Sequence, residues 1–212
     1  MLSEFSAFLR LGFEHITDVG GYDHLLFVAA LTASDLGQLR RLFWLVTSFT
    51  VGHSATLALA TLDLVRIAPA LVELLIPVTI LATSLVNVAV WTRPRHGGAA
   101  AGSGRPTAAP DPERETPAEA RARYLVAVGF GLIHGLGFSN FLRAALGGEE
   151  SLLAPLLAFN VGLEVGQLAI VAALSLLGLA LIRGLALPRR SWVLAVSSLT
   201  GGMALLLILQ RI

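Results

Sequence analysis

The chain has 212 residues, of which 55% are hydrophobic and only 14% charged, with a mean hydropathy of +0.77. A water-soluble domain of this size carries about 25% charge, so the composition excludes an ordinary soluble globule and predicts a membrane protein with the lipid bilayer as its first partner. A net charge of +1 gives no basis for a nucleic-acid partner. All 15 basic residues are arginine, and the absence of cysteine excludes disulfides, thiolate metal sites and thiol nucleophiles. A metal site here must use imidazole, carboxylate, amide or backbone ligands.

In chain order, Leu2, Phe5, Phe8, Leu9, Phe13 and Ile16 recur at helical spacing, which predicts a short amphipathic helix over 2–16. With Glu4 and no early basic cluster, it is not a cleavable signal. Gly20-Gly21 interrupts it, and a short apolar helix is expected over 22–34. Five clearer spans follow at 40–62, 69–91, 122–146, 151–182 and 190–211, most of them near the ~20 residues a bilayer requires. Residues 92–120 hold five of the nine prolines and four glycines and read as a flexible linker. The expected architecture is all-α: about six spans as two three-helix halves, 1–91 and 121–212, joined by 92–120.

Arginine sets the expected orientation. The N-terminus, the loops 63–68 and 147–150, and the C-terminus share Arg10, Arg66, Arg143 and Arg211, while the opposite side holds the other eleven. The positive-inside rule places those eleven, and the 92–120 loop, in the cytoplasm. Both termini then face the periplasm. At an offset of 110 residues Gly21 and His24 align with Gly131 and His134, and "FTVG" (49–52) aligns with "FNVG" (159–162). Three spans per half would make the halves an inverted repeat, a plan common among secondary transporters.

An ionisable group inside a span costs about 2.5–3.5 kcal/mol on insertion scales, so the few present are site candidates: His15, Asp23, His24, His53, His134 and Glu164. At 1.5 Å per residue, His53, His134 and Glu164 each fall about 18–20 Å from a membrane face, near the midplane. Asp23 and His24 lie further out. Asn160, Glu164 and Gln167 share one helical face, and Thr47, Thr50, His53 and Ser54 form a polar stripe. Gly131 with Gly135, and Gly162 with Gly166, are small-residue pairs that let helices pack closely. Imidazole plus carboxylate at a dry midplane suits a divalent ion such as nickel, cobalt or zinc. Asn160, Gln167, Ser54 and Thr50 are expected to orient the ligands. The ordinary alternatives stay open: membrane histidines as helix-to-helix hydrogen-bond partners, His24 as an outer-end cap, and haem held between two imidazoles.

"GFEHITDVGGYDHLLF", "FTVGHSATL", "GLIHGLGF" and "FNVGLEVGQ" resemble the HupE/UreJ family of hydrogenase and urease accessory membrane proteins. The resemblance implies a bacterial inner-membrane protein that moves nickel or cobalt and works beside hydrogenase or urease maturation proteins. By motif match, His15, Asp23 and His24 carry the first signature, His53 the second, His134 the third, and Asn160, Glu164 and Gln167 the fourth. Many members carry a signal peptide and a His-containing segment; this chain starts almost at the motif, so such a segment is expected to be missing or removed. The first signature is also similar to the His and Asp-His pattern of larger nickel/cobalt permeases, with a wider spacing here. A second likeness is to membrane hydrolases of the alkaline-ceramidase and adiponectin-receptor type, in which His24, His53 and His134 would hold zinc beside Asp23 and Ser54. A third reading is a non-catalytic, metal-bound membrane scaffold. The sequence favours a transporter over an enzyme, with an ion path from His15, Asp23 and His24 to a midplane site at His53, His134 and Glu164.

Overall fold

A computed structural model describes residues 2–92, 116–146 and 152–212, and within them every regular element is a helix. The elements are α1 (Leu2–Thr17), α2 (Asp23–Ser34), α3 (Leu39–Thr61), α4 (Pro69–Thr92), α5 (Pro117–Gly137), α6 (Ser139–Leu146), α7 (Leu153–Gly184) and α8 (Arg189–Arg211). Four of them, α3, α4, α7 and α8, are long and apolar enough to cross a bilayer. The expected linker lies mostly outside the described residues, but its last four residues, 117–120, form the first turn of α5. That turn starts in a capping box: the Thr116 hydroxyl accepts from the Glu119 N–H, and the Glu119 carboxylate accepts from the Thr116 N–H at 2.8 Å. The Thr116 backbone and hydroxyl donors hold the Glu119 carboxyl below the usual carboxylate range.

The span expected at 122–146 is broken. α5 ends at Gly137, Phe138 intervenes, and α6 begins at Ser139, whose hydroxyl donates to the Leu136 carbonyl at 2.9 Å. The α1–α2 break has a similar local cause, since the Asp18 carboxylate accepts the Gly20 N–H at 2.8 Å and turns the chain out of helix. Within α4, Pro77 cannot donate to the carbonyl four residues back. That carbonyl, of Glu73, is taken by the Arg211 guanidinium from the end of α8.

Packing interleaves the two parts of the sequence: α1 lies along α7, α3 along α5, and α4 along α8. Glycines set two of these seams. A Cβ built on Gly52 would overlap the Val128 carbonyl, and one on Gly131 would overlap the Phe49 carbonyl. On the other seam, Gly12 meets Phe159 and Leu163 as Gly131 meets Phe49 and His53. Likewise Gly162 meets Leu9 and Phe13 as Gly52 meets Val128 and Leu132. By these contacts the counterpart of "GLIH" is "GFEH" at 12–15, rather than "GYDH" at 21–24. The third seam is polar, with Ser84 bonded to Thr200 at 2.9 Å and Asn87 donating to Ser197 at 3.2 Å.

At the end of the bundle where α3, α5 and α8 begin, Asp35 is buried, 3% exposed. Arg41 reaches it at 3.3 Å and Arg123 at 3.1 Å, while Arg189 donates to the neighbouring Ser34 carbonyl at 3.2 Å.

Three outcomes are expected. Gly52→Ala and Gly131→Ala each destabilise by at least the upper part of the ~1–3 kcal/mol range for overpacking, because the obstacle is backbone. Gly129→Ala, with nothing within 4 Å, leaves the melting temperature within a degree or two in the same detergent. Asp35→Ala removes the buried carboxylate that holds the partly buried Arg41 and Arg123 and costs about 1.5–3 kcal/mol, the range for hydrogen bonds to a charged group, measured by the same melt.

Candidate metal centre

The α3–α5 seam places His53 and His134. Gly52 precedes His53, and Gly131 and Gly135 flank His134 by a turn, so the two backbones touch where the imidazoles project; a Cβ on Gly135 would strike the His53 carbonyl. The helix breaks supply the other two rings: His15 lies in the last turn of α1 and His24 in the first turn of α2. Ring centroids are 4.8 Å apart for His15–His24, 6.1 Å for His24–His53, 6.2 Å for His15–His53 and 5.1 Å for His24–His134. One ligand nitrogen from each of His15, His24 and His53 lies within 4.8 Å of the others, a group that could hold a metal ion. His53 and His134 are fully buried and His24 is 8% exposed.

Most of these ring nitrogens lack partners. His15 Nε2, His24 Nε2, both nitrogens of His53, and His134 Nδ1 are buried without a hydrogen bond. A buried polar atom left unsatisfied costs about 1–3 kcal/mol, so a cluster of them is built to share something. A divalent ion with soft nitrogen preference fits this donor set. His134 Nε2 lies 3.0 Å from Thr79 Oγ1, whose hydroxyl donates to the Ile76 carbonyl at 2.7 Å. With that hydrogen committed, the Thr79 oxygen accepts from Nε2–H, and the lone pair of His134 falls on Nδ1. Such a partner orients a ligand ring and fixes its tautomer.

Aromatic rings wall the cluster. Phe138, the residue at the α5–α6 break, lies 3.8 Å from the His15 ring centroid. Phe49 and Phe27 lie 5.1 and 5.3 Å from His134 and stack on each other at 4.8 Å. One side is open: a cavity of about 540 Å³ reaches His15 past Glu14, Asp18, Phe138 and Phe141.

The remaining sequence-derived residues lie elsewhere. Asp23 faces Arg211 at 3.5 Å, and Glu164 accepts from Thr47 at 2.6 Å; neither belongs to the imidazole group. Thr50 donates to Gln167 at 2.8 Å and Ser54 to Asn160 at 2.6 Å. The expected auxiliary ligands thus tie α3 to α7 at one crossing. Gly162 and Gly166 seat α1, against Leu9 and against Phe13 and Ile16. Sequence reasoning missed Thr79, Phe138 and Asp35. Thr79 carried a faint signal, two residues after the proline inside α4; Phe138 closes the "GLIHGLGF" motif, but nothing there marks it as a wall of the site, and Asp35 carried no signal.

Apolar helices of spanning length around a buried histidine cluster define a membrane protein with a candidate metal centre. A family profile described as HupE / UreJ protein matches residues 1–211, and the chain belongs to that family. No curated protein and no solved structure matches the chain.

Purified protein is expected to bind one divalent transition-metal ion per chain by isothermal titration. His24→Ala, which removes the ring in contact with both His15 and His134, should abolish it. Thr79→Val should weaken it about 10–100-fold, the range for losing a ligand-orienting partner. Glu164→Gln should leave affinity nearly unchanged.

Proposed function

We propose that the protein moves a divalent transition metal, nickel or cobalt first, across the bacterial inner membrane through the four-histidine cluster. The observation that carries this is the convergence of unpartnered imidazole nitrogens from α1, α2, α3 and α5 in a buried site that opens at one end. The path starts in the opening beside Glu14 and Asp18, passes His15, is shared among His15, His24 and His53, and reaches His134 beyond His24. Each ring lies within about one helical turn of the next, so the ion exchanges one ligand at a time and keeps most of its coordination. Asn160, Glu164, Gln167, Thr50 and Ser54 hold α3 against α7 and so position His53. Asp23 with Arg211 locks the start of α2.

The topology that serves this path is six spans, with α1–α2 and α5–α6 each counting as one interrupted span. The reciprocal glycine contacts of α1 on α7 and α5 on α3 support two inverted halves, 1–91 and 121–212. Interrupted helices at a midplane site are a recurrent transporter device. The arginine distribution supports termini in the periplasm and residues 92–120 in the cytoplasm, where hydrogenase or urease maturation proteins would receive the ion. The hydrolase arrangement needs a serine and an aspartate beside the imidazoles, whereas Ser54 and Asp23 are engaged with Asn160 and Arg211.

In proteoliposomes loaded with a metal-sensing dye, uptake of nickel or cobalt is expected, and His53→Ala should abolish it. Uptake at wild-type rate by that variant would contradict the proposal. Metal and proton compete for the same imidazole lone pair, so affinity should fall as pH is lowered; an affinity that rises in acid would oppose an imidazole site.

A further inference from the structure

On the other side of the Phe27–Phe49 pair lies a second cavity, of about 250 Å³, between α2, α3, α4 and α5. Its walls are Phe27, Leu31, Leu45, Ala127 and Phe130, with Val86 and Val126 at its rim. Those two valines are 60% and 50% exposed, on the outer flanks of α4 and α5, so the slot opens sideways toward where lipid lies. Its polar lining residues are few: Ser34, Asn87 and Arg123 toward the end beside Asp35, and Thr83, whose hydroxyl is committed to the Thr79 carbonyl at 2.9 Å. Asn87 is committed to the Ala30 carbonyl and to Ser197.

A slot with such walls is wrong for a hydrated cation, which needs oxygen or nitrogen around it. It is equally poor for water, which needs two to four polar partners. A hydrocarbon chain satisfies it. The polar end carries the charge argument: one carboxylate, Asp35, faces Arg41 and Arg123, and Arg189 lies within its field. Arg40, Arg121 and Arg190 are exposed nearby in sequence. Among the described residues this end thus sets these six arginines against Asp35 and Glu119, is net positive, and complements an anionic headgroup.

We infer that the α4–α5 slot holds one acyl chain of an anionic phospholipid, with its phosphate at the arginine-rich end around Asp35. The chain would run inward to Phe27, one ring short of His134, and exclude water from that flank of the imidazoles. This binding site stands independently of transport, since it rests on the slot and its arginines alone.

The test uses the full chain in mild detergent, with thermal unfolding followed on adding phosphatidylglycerol or phosphatidylcholine of the same acyl length. Phosphatidylglycerol should raise the midpoint by about 3–5 °C more than phosphatidylcholine, as expected for a saturating ligand of the folded state. Native mass spectrometry should retain one such lipid. Ala82→Phe, which fills the slot, should lose both effects while melting no lower than wild type without lipid. Val126→Trp, at the exposed rim, serves as a second filling variant should Ala82→Phe fail to fold. An equal shift in the filled variants would overturn the slot as the site, and equal shifts from the two lipids would overturn the headgroup assignment.

Discussion

The arrangement depends on a backbone contact. Gly52 and Gly131 let the carbonyls of Val128 and Phe49 press against glycine Cα atoms, so α3 and α5 approach more closely than any side chain permits. Close approach is costly unless it is repaid by packing. Here it sets two imidazoles on one seam, each beside the His24 ring at 6.1 and 5.1 Å and each walled by Phe49. A looser seam would let His53 and His134 find hydroxyl or carbonyl partners, as buried histidines ordinarily do. The tight seam leaves them with none, apart from the one bond from His134 to Thr79, and unmatched nitrogen is what would let the site hold a cation.

Helix interruption completes the set. A continuous first helix could offer His15 and His24 only at positions fixed by helical pitch. The turn at Asp18–Gly21 frees that geometry and sets α2 so that both rings lie about 6 Å from His53. The break at Phe138 does the same on the opposite side, placing an aromatic ring over His15 instead of another helical turn. Non-helical backbone at membrane depth is tolerated where protein buries it or where it lines a water-filled cavity; the turn residues Asp18 to Tyr22 are exposed beside the opening to His15, while Ile16 and His24 on either side of the turn are buried.

Much of this was legible in the residues. Helical periodicity and apolar run length found α1 to α4, α7 and α8 within two residues at each end, because those signals are local. The glycine pairs and the histidines were visible as exceptions to a monotonously aliphatic chain. What escaped notice depends on three-dimensional register. Counting residues along a span places Glu164 at the expected depth of the imidazoles, yet depth says nothing of azimuth, and its side chain accepts from Thr47. Asp23 adjoins His24 in sequence, but neighbours on a helix point about 100° apart, and it meets Arg211. The internal match was drawn to "GYDH", whereas the contacts pair "GLIH" with "GFEH", since a Gly-to-His spacing recurs twice within thirteen residues and sequence alone offers no way to choose. The span 122–146 reads as continuous because its apolar run does not stop at the break, although Gly137 and Ser139, residue types that favour helix ends, stand there.

The central claim is that one ion sits among imidazoles drawn from separate helices. X-ray absorption at the metal edge of nickel- or cobalt-loaded protein tests it most directly. The account predicts the outer-shell scattering pattern of three or more imidazoles, reduced stepwise in His15→Ala, His24→Ala and His53→Ala. A shell made only of oxygen, or an imidazole pattern that survives all three substitutions unchanged, would contradict it.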